Sequence, residues 1–164
     1  MDIVKNATVS REIAADPMTV WSAVADITRM GEWSPECHTC EWQEGHSEPI
    51  VGARFDGHNR SAINGLEWST HAEISSAEPG VSFHFKALYG EADFHFANWH
   101  YDFEPIEGGT RVTQSWEDVR PGEFLSHDAD PDGVADRAGH NIASMNATLA
   151  RLAAAIEPTR GDDH

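Results

Sequence analysis

The sequence predicts an α+β domain in which one long C-terminal helix covers a large twisted sheet. Three observations lead there. Almost everything between residues 36 and 117 reads as strand. From about 132 to 156 the apolar residues Val134, Ala138, Ile142, Met145, Leu149, Leu152 and Ile156 recur at steps of four and three, one stripe on an α-helix. Two short helical stretches separate the first strand from the rest. A single helix laid across such a sheet cannot easily fill the space beneath it. The expected result is a cavity, and cavities of this kind hold small, largely apolar molecules.

Residues 8–14 alternate as a first strand. Asp16-Pro17 opens a helix, because aspartate caps a free N-terminus and proline suits the first helical position. Val20, Trp21, Val24 and Ile27 form its apolar side. A second short helix over 28–33 stops near Ser34-Pro35. Strands follow over 37–43, 53–63 and 66–75. In the last of these, Leu66, Trp68, Thr70, Ala72 and Ile74 share one side. Glu78-Pro79-Gly80 is a turn signal leading into a strand over 81–87. The most aromatic strand spans 93–104, and Glu107-Gly108-Gly109 turns into a strand over 110–119. A loop over 121–130 precedes the long helix. Residues 1–157 form one domain, and 158–164 read as a disordered polar tail.

Composition narrows the function classes. The chain has 164 residues, enough for one domain, and 40% hydrophobic content, enough for a core. With 11 basic against 28 acidic residues, the formal charge is −17. Nucleic acid phosphates and anionic headgroups would be repelled, so neither is an expected partner. No apolar run approaches the ~20 residues that cross a membrane, so stable membrane insertion is not expected. The N-terminus lacks a secretory pattern, which makes the cytoplasm the expected location. The glycosylation patterns Asn6-Ala7-Thr8 and Asn146-Ala147-Thr148 then carry no weight.

Metal and redox motifs are weak. Cys37 and Cys40 stand in Cys-His-Thr-Cys. A regular strand would hold their Cα atoms roughly 10 Å apart, too far for a disulfide. A zinc site would need further ligands, and there is no other cysteine. Two ordinary small strand residues are expected. Among the ten histidines, His95 and His100 point to opposite faces of one strand, while His71 and His84 lie on outward parities where they could approach. No third ligand is visible, so no metal and no cofactor are expected. Asp128-Ala129-Asp130-Pro131-Asp132-Gly133 resembles half a calcium loop, but Gly139 stands where the bidentate glutamate belongs. An acidic cap for the last helix is the simpler reading.

Strand parity names the cavity wall. With the Trp68 side inward, the matching residues are Trp42 with Cys40 and His38, Phe55 with Asn59, and Phe85. They continue with His95, Trp99 and Tyr101, then Val112, Gln114 and Trp116. Thr70 shares the Trp68 side. A one-residue bulge would reverse any of these, and the strand from Asp93 is the most exposed to that, since Phe94, Phe96 and His100 sit on the other parity. From the helix, Asn141, Ile142 and Met145 are expected at the ligand, while Leu149, Leu152 and Ile156 anchor the core.

The element order is strand, two short helices, six strands and a long helix, the helix-grip arrangement. Several strings sharpen the match: Ala15-Asp16-Pro17 before Val20-Trp21, Trp33-Ser34-Pro35, Val51-Gly52-Ala53-Arg54-Phe55, Glu78-Pro79-Gly80, Trp99-His100-Tyr101, Gly109-Thr110-Arg111-Val112-Thr113 and Thr148-Leu149-Ala150-Arg151-Leu152. Together they resemble the START-like or SRPBCC superfamily, with its Bet v 1-like helix-grip fold, and within it the polyketide cyclase/dehydrase branch. The resemblance implies a seven-stranded antiparallel sheet gripping the C-terminal helix around a hydrophobic cavity. Relatives bind lipids, sterols, plant hormones or polyketides, and some are aromatase/cyclases. Fold alone does not settle which.

The expected function is therefore binding of a small hydrophobic or aromatic metabolite, lipid or polyketide-like, in the cavity. The alternative is a polyketide aromatase/cyclase using a histidine and a tyrosine there, His95 and Tyr101. A protein-binding module would require an exposed apolar patch, and the outward parities are mostly polar. No residue is assigned a catalytic role, and monomer and dimer remain open.

Overall fold

The computed structural model describes residues 5–61, 64–121 and 137–158. β1 (Asn6–Ile13) leads into α1 (Pro17–Ala25) and a 3₁₀ helix (Ile27–Glu32). The strands β2 (Cys37–Trp42), β3 (Arg54–Arg60), β4 (Glu67–Ser76), β5 (Ser82–Tyr89), β6 (Phe94–Ile106) and β7 (Gly109–Asp118) follow, and α2 (Arg137–Ile156) comes last. The sheet order is β1-β7-β6-β5-β4-β3-β2. Every neighbouring pair is antiparallel. This is the helix-grip α+β fold, with β2 to β7 as a meander, β1 added beside β7, and α2 lying against β1 and β7.

Local chemistry sets the joints. Asp16 caps α1 by accepting a hydrogen bond from the Thr19 amide at 2.8 Å, with Pro17 at the first helical position. The Trp21 indole N–H donates to the Ser82 carbonyl at 2.7 Å and pins α1 to β5. The end of β1 is held from two directions: Thr110 Oγ1 donates to the Ala15 carbonyl at 2.7 Å, and the Ala14 amide donates to Glu157 Oε2 at 2.9 Å. Gly109 is required where β7 begins, because a Cβ there would lie 2.1 Å from the Ile13 carbonyl oxygen.

Two apolar clusters form the interior. The larger gathers Ile13, Val20, Ile27, Phe83, Val112 and Leu152 with their neighbours; the smaller holds Ala7, Ala87, Ala97, Trp116, Ala138 and Met145. The buried strip of α2 runs through Ala138, Asn141, Met145, Thr148, Leu149, Leu152 and Ala153. Its phase corrects one expectation: Ile142 is 41% exposed. Position 142 lies one residue, about 100° of helical rotation, from Asn141, which takes the inward place despite being polar. The expected first turns of that helix with Val134, most of the 121–130 loop, the acidic string from Asp128 and nearly all of the tail lie outside the described residues.

Three strand pairs shift register, between Cys37 and Thr39, Ile74 and Ser76, and Ala87 and Leu88. The third matters most for function. Ala87 faces Ala97, yet Leu88 faces His95, so Phe96 is an extra residue in β6. Inward parity changes there from even to odd numbers.

On the outer face His71 and His84 do not meet. His71 Nδ1 lies 2.7 Å from Asp56 Oδ1, whereas His84 Nε2 lies 2.8 Å from Asp102 Oδ1. The His84 ring instead stacks on His100, with centroids 4.0 Å apart and planes at 15°. Burial, and then the neighbouring His84, hold the His100 pKa below its ordinary 6.5. A depressed histidine takes its proton later in the folded chain than in the unfolded one. Its contribution to stability is full above about pH 6.5 and is lost as pH falls below that. Urea unfolding at pH 7.5 and pH 5.5 should therefore show a smaller acid-induced loss of stability in His100→Phe than in the parent chain, and an unchanged loss would contradict this assignment.

Candidate functional site: a cavity between the sheet and the C-terminal helix

Small side chains create the central space. Ala72 faces Ala87 and Ala87 faces Ala97 across β4, β5 and β6, while Gly57 faces Thr70 across β3 and β4. All five border a cavity of about 530 Å³ that α2 closes with Asn141, Ser144, Met145 and Thr148. That volume suits a small organic ligand.

Aromatic rings frame this row. Phe55 and Phe85 meet edge to face with centroids 5.3 Å apart, and Trp99 and Trp116 lie 6.5 Å apart. All four line the cavity, as do Asn59, Trp68 and Thr70 from β3 and β4, and Tyr101 and Gln114 from β6 and β7. From α2, Asn141 and Met145 do so as well. Five of the residues expected at the wall stand elsewhere: His38 is exposed on β2, Val112 is buried in the larger core cluster, and the other three are Trp42, Ile142 and His95. Trp42 packs behind Phe55 at 6.0 Å and borders a separate cleft with Trp21 and Pro49. Ile142 is turned outward by the phase of α2. His95 is turned off the wall by the bulge at Phe96, and its Nε2 lies 2.7 Å from Asn98 Oδ1. Phe94 and Phe96 line the cavity in its place.

One polar pair is sunk into the wall. Gln114 Nε2 donates to the Tyr101 hydroxyl oxygen at 3.0 Å, and both residues are buried. Gln114 Oε1 has no hydrogen-bond partner among the described residues. Burial pushes the Tyr101 phenol well above its ordinary range, so it stays protonated. The pair thus presents an O–H donor beside an unused carbonyl acceptor, a set that reads a ligand hydroxyl or similar group.

A charged region of the lining was not foreseen. Arg120 Nη2 lies 2.6 Å from Asp118 Oδ2. Glu36 Oε2 lies 3.1 Å from His140 Nε2 and 3.9 Å from Arg137 Nη1. Glu36, Asp118, Arg120 and Arg137 all border the cavity. Nothing in the sequence signals this, because Glu36 and His140 are brought together only by the docking of α2 beside the start of β2.

The histidine–tyrosine pair that a cyclase would use is not assembled. Tyr101 is on the wall and His95 is off it. Among the described lining residues the one histidine is His71, which is bonded to Asp56. Among the described residues no three His, Cys, Asp or Glu side chains gather as a metal site, and no helix is long and apolar enough to cross a membrane.

The profile of the family described as polyketide cyclase / dehydrase and lipid transport matches residues 5–157. The solution structure of a Polyketide_cyc-like protein from Corynebacterium glutamicum is 35% identical, with a TM-score of 0.51 over 92% of this chain and 82% of that one. A protein from Chromobacterium violaceum superposes with a TM-score of 0.69 at 18% identity, covering 95% of this chain and all of the other. Ginseng major latex-like protein 151 from Panax ginseng gives 0.67 at 16% identity over 93% and 97% of the two chains. These last two show the shared fold. No curated protein matches the chain.

An unsatisfied buried oxygen costs about 1–3 kcal/mol, more than the single hydrogen bond that Gln114 makes. Replacing both partners of that bond, Gln114→Leu with Tyr101→Phe, should therefore leave the ligand-free protein as stable as the parent or up to ~2 kcal/mol more stable in urea unfolding. A marked destabilisation would mean that the oxygen is satisfied.

Proposed function

The chain belongs to the polyketide cyclase / dehydrase and lipid transport family, and from that premise we propose that it binds a small, largely apolar or aromatic metabolite inside the cavity. The observation that carries this reading is the space of about 530 Å³ between sheet and helix with Gln114 Oε1 held unpartnered in its wall. Apolar burial against Phe55, Phe85, Trp99 and Trp116 supplies affinity at ~25 cal/mol per Å². Tyr101 and Gln114 supply orientation: the phenol donates to a ligand oxygen and the carboxamide oxygen accepts from a ligand hydroxyl or N–H. Asn59, Thr70 and Asn141 offer further polar contacts, with Trp68 and Met145 as apolar wall.

Binding is favoured over cyclisation because a proton-transfer mechanism needs a base at the reacting carbon. The histidine expected to supply it, His95, is held off the wall, where its Nε2 lies 2.7 Å from Asn98 Oδ1. The reading includes a cytoplasmic location and excludes nucleic acid, which the charge of −17 disfavours.

The row of alanines provides the test. Ala87 is buried at the centre of the row. In Ala87→Trp the indole fills the space. Titration with the apolar fluorophore 8-anilinonaphthalene-1-sulfonate should show saturable, one-to-one binding to the parent chain. The variant, folded by circular dichroism, should bind at least ~10-fold more weakly, about 1.4 kcal/mol. Equal affinity in the two would remove the cavity from the binding reading.

A further inference from the structure

The cavity wall carries a second chemical feature that ligand burial does not use. A straight strand would hold Cys37 and Cys40 far apart, but the register shift after Cys37 turns both side chains to the same face. Both residues are buried, at 8% and 7% exposure, and both border the cavity. Their Sγ atoms lie 3.0 Å apart. Cys40 faces Gly57 across the strand pair, where an added Cβ would stand 3.5 Å from Cys37 Sγ and 3.7 Å from Cys40 Sγ. The glycine therefore leaves room beside the sulfurs. Gly31, in the preceding 3₁₀ helix, allows that helix to press on β2, since a Cβ there would collide with the His38 carbonyl at 2.0 Å. Met30 Sδ, from the same helix, lies 3.7 Å from Cys40 Sγ.

We propose that Cys37 and Cys40 form a reversible dithiol–disulfide site in the cavity wall, oxidised by a hydroperoxide small enough to enter the cavity. The sulfurs need to close by only about 1 Å to reach bonding distance. Among the described residues no third Cys, His, Asp or Glu joins them to make a metal site.

The two thiols are not equivalent. The hydrogen bond from the Cys40 thiol favours the thiolate of Cys37 and holds its pKa down, while the same contact, burial and the Cys37 charge push the Cys40 thiol up. Cys37 is accordingly the nucleophile and Cys40 the resolving thiol. The Cys37 thiolate attacks the outer oxygen of ROOH. An S–O bond forms, the O–O bond breaks, and the alkoxide leaves as ROH with the proton that Cys37 released. Cys40 sulfur then attacks the sulfenic acid. The S–S bond forms, the S–O bond breaks, and hydroxide leaves with the Cys40 proton as water. Two electrons pass from sulfur to the peroxide oxygen, and an external thiol restores the pair.

The test uses the full chain and hydrogen peroxide. One equivalent should remove two hydrogen atoms from the intact mass of the monomer, leave no thiol alkylatable after denaturation, and yield a peptide linking Cys37 to Cys40. Dithiothreitol should reverse all three. Two thiols still alkylatable, a disulfide between two chains, or sulfinic acids without the internal link would each overturn the proposal. Variants assign the roles without depending on the wild-type result. Cys40→Ser should trap a sulfenic acid on Cys37, captured by dimedone, at least ~10-fold faster than Cys37→Ser traps one on Cys40. If the Ser variants fail to fold, the wild-type mass and peptide map still decide whether the disulfide forms.

Discussion

The row of small residues beneath α2 is the constraint on which the rest depends. Ala72, Ala87 and Ala97 face one another across three central strands, and Gly57 and Thr70 continue the pattern toward β2. Leucine or phenylalanine at these places would let sheet and helix close on each other. Because they are small, the aromatic rings around them border space instead of core. An empty apolar space forfeits dispersion contacts with its lining. A ligand restores them, so the same substitution pattern that weakens the free protein supplies affinity. The low-polarity interior also explains the state of its polar groups: it keeps Tyr101 protonated and makes an unpartnered Gln114 oxygen costly.

The C-terminal helix divides its labour along its length. Leu149, Leu152 and Ala153 seal one end against β1 and the larger cluster. Asn141, Ser144, Met145 and Thr148 form the roof of the cavity, and three of these four carry polar atoms. Thr148 spends its hydroxyl on the Ser144 carbonyl at 2.8 Å. The first described turn of the helix then meets Glu36 through His140 and Arg137. Charge is thus held in close pairs on one part of the lining while the row of alanines remains apolar.

Periodicity reveals elements well and local phase poorly. The seven strands, the Asp16-Pro17 cap and the long helix follow from alternation, helical spacing and capping chemistry, because each repeats or marks an end. Trp68 and Thr70 reach the cavity because β4 keeps regular parity through that stretch. His95 does not, because one extra residue, Phe96, reverses β6, and a bulge has no period of its own to detect. The same device brings Cys37 and Cys40 together. Ile142 misled for a related reason: apolar character suggested the inward position, and the helix instead turns Asn141 inward. The space itself was written in alanines, whereas the aromatic residues drew attention first. The Glu36–His140 contact joins residues far apart in the chain and depends on tertiary docking alone.

The central claim is that ligands bind by burying apolar surface within the cavity. Calorimetric titration of 8-anilinonaphthalene-1-sulfonate at several temperatures tests it most directly, because burial of apolar surface makes the heat capacity change of binding negative. The account predicts a clearly negative value for the parent chain that is lost in a folded variant whose cavity is filled. A heat capacity change near zero, or one that persists after the cavity is filled, would contradict it.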